Sequence, residues 1–225
     1  MRPMWRDAVL VAGKDLRVEA RSRVTTNQVA PYALLVLLLF GFAFDQDHRL
    51  LVQAAPGLFW VAVLFCALLA IARSFAVEAA DGARDGLRMS GLDPAGIFLG
   101  KAAAVAVELA ALEVLLGAGI VVLFGSDLRD YGLLVATAVA ATIGLAASGT
   151  VYGIMSAGLR VRETLLPLLM LPVLAPVLLA ATQAWRAALG LSSDDGWQWI
   201  GLLATFATIY TSLGVLGFGA LLEGA

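Results

Sequence analysis

Six long apolar runs decide what this chain can become. They cover residues 29–44, 57–77, 97–124, 131–157, 165–183 and 197–222, separated by short polar segments. About 20 apolar residues are needed for a helix to cross ~30 Å of hydrocarbon, and most of the runs reach that length. The first is short. It either borrows from residues 25–28 or thins the bilayer locally. Of the 225 residues, 61% are hydrophobic and 14% charged, whereas soluble domains carry about one-quarter charged residues. No polar stretch is long enough to bury a core of its own. The expectation is an all-α integral membrane protein with six transmembrane helices in a single domain over residues 1–225.

Orientation follows from the basic residues, which concentrate in cytoplasmic loops. Arg2, Arg6, Lys14, Arg17, Arg21 and Arg23 precede the first run. Arg73, Arg84, Arg88 and Lys101 flank or occupy the second loop, and Arg160 and Arg162 the fourth. The other side holds Arg49, Arg129 and Arg186. Both termini are therefore expected in the cytoplasm. The first 28 residues are too charged for a signal-peptide n-region, and "DQDHR" after the first run is no cleavage site, so Met1 reads as the native start. Within residues 1–28, Trp5, Val9, Ala12 and Leu16 form one narrow helical stripe, with Arg6, Lys14, Arg17 and Arg21 on the other side. This is the pattern of an amphipathic helix lying in the headgroup plane. A plain topology signal is the simpler reading of the same charges.

The chemical inventory is thin. Cys66, the single cysteine, excludes an internal disulfide and a C-x-x-C motif. His48, the single histidine, falls in an external loop, where it is either an axial ligand or an ordinary polar residue. Neither catalytic motifs nor metal-ligating clusters appear, and no enzyme activity, directly bound cofactor, metal or nucleic-acid partner is expected. "GIFLGK" (96–101) brushes against a P-loop, but it has one residue too few between its glycines and Ala102 where Ser or Thr is required.

Four in-span residues stand out. Glu108 and Glu113 lie in the third run, five residues apart and so ~140° apart on a helix. Intramembrane carboxylates rarely face lipid; they serve either a polar pathway or cation partner, or burial against a neighbouring helix. Pro172 and Pro176 in the fifth run remove backbone hydrogen bonds and predict a kink, as a hinge or a fixed bend. In the fourth run Gly149 and Gly153 make a G-x-x-x-G, which lets helices approach closely.

The segment between the second and third runs, residues 78–96, is the polar exception. It carries Glu78, Asp81, Asp85 and Asp93 beside Arg84 and Arg88, with Gly82, Gly86 and Gly91. Asp81 or Asp85 can cap a short helix that Gly91 ends. That helix would present Leu87 and Met89 with Arg88 beside them. It is too small to be a domain and reads either as a docking element for a soluble partner or as a solvated loop.

The stretch "APGLFWVAVLFCALLAIARSFAVEAADGARDGLRMSGLDPAGIFLGK" (55–101) resembles the haem exporter B family, CcmB, the membrane permease subunit of the cytochrome c maturation ABC transporter. "RETLLPLLMLPVLAPVLLAATQA" (162–184) agrees with it. The resemblance implies a type-2 ABC exporter permease fold in the bacterial inner membrane, with an N-terminal amphipathic helix. It implies a homodimer paired with a separate cytoplasmic ATPase that binds ATP, with further cytochrome c maturation membrane subunits and a periplasmic haem chaperone. Haem would be cargo of the complex, with ATP used to release the loaded chaperone. Glu78, Asp81, Asp85, Gly86, Leu87, Arg88 and Met89 would then form the ATPase-coupling loop. Two rival readings share much of this pattern: a generic type-2 permease for a lipid, drug or polysaccharide, and a non-transporting membrane scaffold.

Overall fold

Helix formation follows the apolar runs, but the helix of the second run is longer than expected: it begins at His48, which the sequence reading placed in an external loop, and continues to Ala80. The computed structural model describes residues 4–23, 25–44, 47–80, 91–126, 128–157 and 162–224. Among these residues the secondary structure is helical: α1 (Met4–Ser22), α2 (Ala30–Ala43), α3 (His48–Ala80), α4 (Pro94–Phe124), α5 (Tyr131–Ala157), α6 (Arg162–Ala188) and α7 (Trp197–Gly224). Helices α3 to α7 are each long and apolar enough to cross a membrane.

The first run departs from the simplest expectation. At 14 residues α2 is ~21 Å long, short of the hydrocarbon thickness. Only with α1, across a bend of 50°, does it add a sixth candidate span. The bend has local causes. Arg23 takes φ +52, a left-handed conformation that stops α1, and a single π-helical turn, Thr25–Val29, leads into α2.

Local chemistry sets the ends of α4. Asp93 is its N-cap, and the Asp93 carboxylate accepts the Ala95 N–H at 2.9 Å. Pro94 follows, at the first helical position, where its missing N–H costs nothing. The helix stops at Gly125, whose φ of +62 lets its N–H reach the Val121 carbonyl at 3.1 Å.

Helix α5 is the centre of the bundle and packs on α3, α4, α6 and α7. Its glycines allow this. Ile71 and Phe75 of α3 fill the places where Gly149 and Gly153 lack a Cβ, and Phe206 of α7 does the same at Gly144. The G-x-x-x-G is thus spent on packing within one chain. Thr137, Ser148, Thr150 and Ser156, all buried in α5, turn their hydroxyls back onto carbonyls of their own helix.

Helix α6 runs unbroken through Pro167, Pro172 and Pro176. Met170, Leu174, Val177, Ala181 and Ala184 face the core, while Pro172 and Pro176 lie on the exposed side. Their lost hydrogen bonds therefore weaken the outer face and leave the packed face intact. Near the far end of α6, Trp185 stacks on Phe59 at 3.9 Å between ring centroids and meets Trp60 edge-on at 5.6 Å.

The connections α2–α3, α4–α5 and α6–α7 gather at one end of the bundle. There the Asp130 N–H donates to the Ala188 carbonyl at 3.1 Å, and Arg129 packs over Gly190, which has φ +73. The end of α3 and the start of α4 lie at the other end.

Candidate functional site

Most of the expected coupling loop, Asp81, Asp85, Gly86, Leu87, Arg88 and Met89, lies outside the described residues, as does the side chain of Glu78. Gly91 is described and takes φ +65, the left-handed conformation that favours glycine. Helix α1 reaches both flanking helices, at Arg73 of α3 and at Asp93 and Lys101 on the α4 side.

Helix α1 has three faces. Trp5 and Val9 are 67% and 71% exposed, so the first half of the apolar stripe read from the sequence points away from the bundle, while Ala12 and Leu16 are half-buried. Arg6, Lys14, Arg17 and Arg21 occupy a second exposed arc. The third arc, Asp7, Ala8, Val11, Asp15, Glu19 and Ser22, recurs at helical spacing and packs on α4, while Glu19 and Ser22 at its end meet the Arg73 side chain of α3. It is acidic, and its charges are interleaved in the sequence with those of the basic arc, which hides it from a linear reading.

Small residues on α4 let this arc approach. A Cβ on Gly96 would lie 2.9 Å from the Asp7 Cβ and the Met4 carbonyl oxygen. One on Gly100 would lie 2.6 Å from the Ala8 carbonyl oxygen and the Val11 Cβ. The failed P-loop "GIFLGK" is therefore a G-x-x-x-G seam along which α1 lies on α4. The spacing was legible in the sequence; its partner was not.

Charge pairing locks the seam. The Asp7 carboxylate is 1% exposed and accepts the Asp93 N–H at 3.1 Å, at the N-terminus of α4 where the helix dipole favours an anion. Its other oxygen has no partner among the described residues. Lys101 is also 1% exposed. Its ammonium reaches the Asp15 carboxylate and the Ser74 hydroxyl, each at 3.4 Å, and lies 4.8 Å from the centre of the Phe75 ring. The sequence places Lys101 among the cations that flank the loop, but burial makes it an internal tie between α1, α3 and α4. Arg73 pairs with Glu19 at 3.1 Å and donates to the Ser22 hydroxyl at 3.2 Å. Breaking a buried pair by removing one partner costs about 3–5 kcal/mol, because the remaining charge is stranded.

The two in-span glutamates serve different neighbours, as their angular separation requires. Glu108 is half-buried, and the nearest charges that act on it are Glu19, Arg73 and Asp15. Glu113 is buried and turns to α5, where it accepts the Thr142 hydroxyl at 2.6 Å. Thr142 is thus the buried α5 hydroxyl that reaches across to another helix. The pair lines a lateral groove of about 730 Å³ between α4 and α5, together with Phe59, Trp185 and Leu189. His48 packs against the end of α4, its Nε2 3.0 Å from where a Cβ on Gly125 would stand. Among the described residues no group of three or more His, Cys, Asp or Glu side chains is arranged to hold a metal ion.

Known proteins resemble this chain along most of its length. The sequence model described as "CcmB protein" matches residues 6–223. "Heme exporter protein B" of Haemophilus influenzae is 30% identical over 185 residues, which cover 82% of this chain and 83% of that protein. The protein of the same name from Pseudomonas aeruginosa is 27% identical over 207 residues, covering 92% and 93% respectively. That from Paracoccus denitrificans is 31% identical over 177 residues, covering 77% and 79%. With the likeness running from the acidic face of α1 to the end of α7, the chain belongs to the CcmB protein family.

Proposed function

We propose that this chain is the permease subunit of an ABC transporter that exports or delivers haem during cytochrome c maturation. The observation that carries the reading is the near full-length likeness to proteins named heme exporter protein B. The chain acts in the bacterial inner membrane with both termini in the cytoplasm. It binds no ATP itself; a separate cytoplasmic ATPase does. Two copies pair, and other membrane subunits and a periplasmic haem chaperone complete the assembly. ATP hydrolysis is used to release the loaded chaperone.

In this reading the ATPase pushes on residues 81–91 of the coupling loop 78–96. Glu78, Asp81, Asp85, Gly86 and Arg88 keep that segment in water, and Leu87 and Met89 provide its apolar contacts. Such a push works only if the nucleotide states of the ATPase bind the segment with different affinity. Pro172 and Pro176, on the exposed face of α6, let that helix bend without disturbing its packed side.

Two experiments test the proposal. A haem stain of membrane proteins from a strain lacking the gene should show loss of covalently bound haem, restored by the gene. Normal c-type cytochromes would transfer the permease to lipid, drug or polysaccharide cargo. Leu87→Asp should remove the ATPase from the purified complex, and undiminished co-purification would move the docking contact elsewhere.

A further inference from the structure

We propose that α1 is a strut that ties both roots of the α3–α4 connection into one unit, with Lys101, Asp15 and Arg73 as its positioning residues. The inference rests on the coupling reading above. The geometry has a symmetry that argues for it. Arg73 lies two turns before the end of α3, and Lys101 two turns after the start of α4. Each is paired with an acid on α1, Glu19 and Asp15 respectively, one turn apart. Lys101 also reaches Ser74, the neighbour of Arg73, so the three helices meet at a single point. A third tie, from Asp7 to the Asp93 N–H, holds the first residue of the α4 root.

A connection pushed from outside the membrane can respond in two ways. If its roots are independent, α3 and α4 splay and the push dissipates. If they are joined, both helices move together and carry the push into the bundle. Rigid elements with bistable packing transmit displacement in this second way. Burial of Lys101 and the absence of a Cβ at Gly96 and Gly100 make α1 a close, weakly compliant brace.

The test uses the whole complex with its ATPase and compares matured cytochrome formed per ATP hydrolysed. Lys101→Met should leave the ATPase co-purifying while that ratio falls about tenfold, within the span of measured site-to-site couplings. Lys101→Arg should restore most of it. A Lys101→Met complex with the wild-type ratio overturns the strut. If Lys101→Met fails to accumulate, a second design decides. Asp15→Cys with Lys101→Cys, in a Cys66→Ala background, should be uncoupled until a short bifunctional maleimide joins the two thiols. Recovery on cross-linking supports the strut, and a cross-linked but still uncoupled complex overturns it. Failure of the coupling reading is distinguishable, because Leu87→Asp would then keep its ATPase and full activity.

Discussion

Replacing Gly100 by alanine adds one methyl group at the tightest point of the α1–α4 seam. That methyl would come 2.6 Å from both the Ala8 carbonyl oxygen and the Val11 Cβ. Carbon atoms in favourable contact sit ~3.5–4.0 Å apart, so the seam must open by about 1 Å. One obstacle is backbone, so no rotamer change relieves it; α1 itself has to shift. Overpacking of this kind costs ~1–3 kcal/mol. The same shift lengthens the Lys101–Asp15 contact, already 3.4 Å, and the Asp7–Asp93 hydrogen bond at 3.1 Å. Gly117, in the same helix, has open space at its Cβ position, and alanine there gains up to ~1 kcal/mol of helix propensity. Alanine makes the same gain at Gly100, so it cancels, and the expected gap between the two variants is the overpacking cost of ~1–3 kcal/mol. Thermal or denaturant unfolding of the purified protein in detergent measures it. Maleimide labelling of a cysteine at Val11, in a Cys66→Ala background, reports whether the seam has opened. Equal midpoints for Gly100→Ala and Gly117→Ala, with Val11→Cys protected in both, would refute the close-contact argument.

Two further outcomes rest on separate parts of the bundle. Thr142→Val strips the hydroxyl from the buried Glu113 carboxyl and should cost ~1–3 kcal/mol; Thr150→Val, whose hydroxyl returns to the Ala146 carbonyl, should cost clearly less in the same unfolding assay. Gly125→Ala forces a side chain into φ +62 and toward His48 Nε2 at 3.0 Å, so a loss of ~1–2 kcal/mol is expected. His48→Ala should recover only the steric share, which a double-mutant cycle will separate from the backbone share.

How far the fold was legible depended on the kind of signal. The long apolar runs of α3 to α7 could be read directly, because the cost of placing each residue in hydrocarbon adds along a segment. The angular split of Glu108 and Glu113 was equally legible, being a property of one helix, and the structure sends them to different neighbours. The short first run was flagged as a difficulty, and it becomes the second limb of a bent pair. The α1 seam was not legible, because glycine spacing marks a close approach without saying which helix makes it. Gly96 and Gly100 of "GIFLGK" have the same +4 spacing as Gly149 and Gly153 of α5.

By itself the sequence determined the class: a helical membrane chain, the approximate place of each span and the polar character of the α3–α4 connection. These are sums over neighbouring residues, and the hydrophobic effect makes them local. The tertiary structure decided which arc of α1 is used, that Lys101 is buried rather than solvated, and that Thr142 is the partner of Glu113. Asp15 and Lys101 are 86 positions apart, as are Asp7 and Asp93. Nothing local distinguishes an acid that will be solvated from one that will meet a buried lysine. Only the close approach of two helices, permitted by Gly96 and Gly100, brings the charges together and excludes the water that would otherwise screen them.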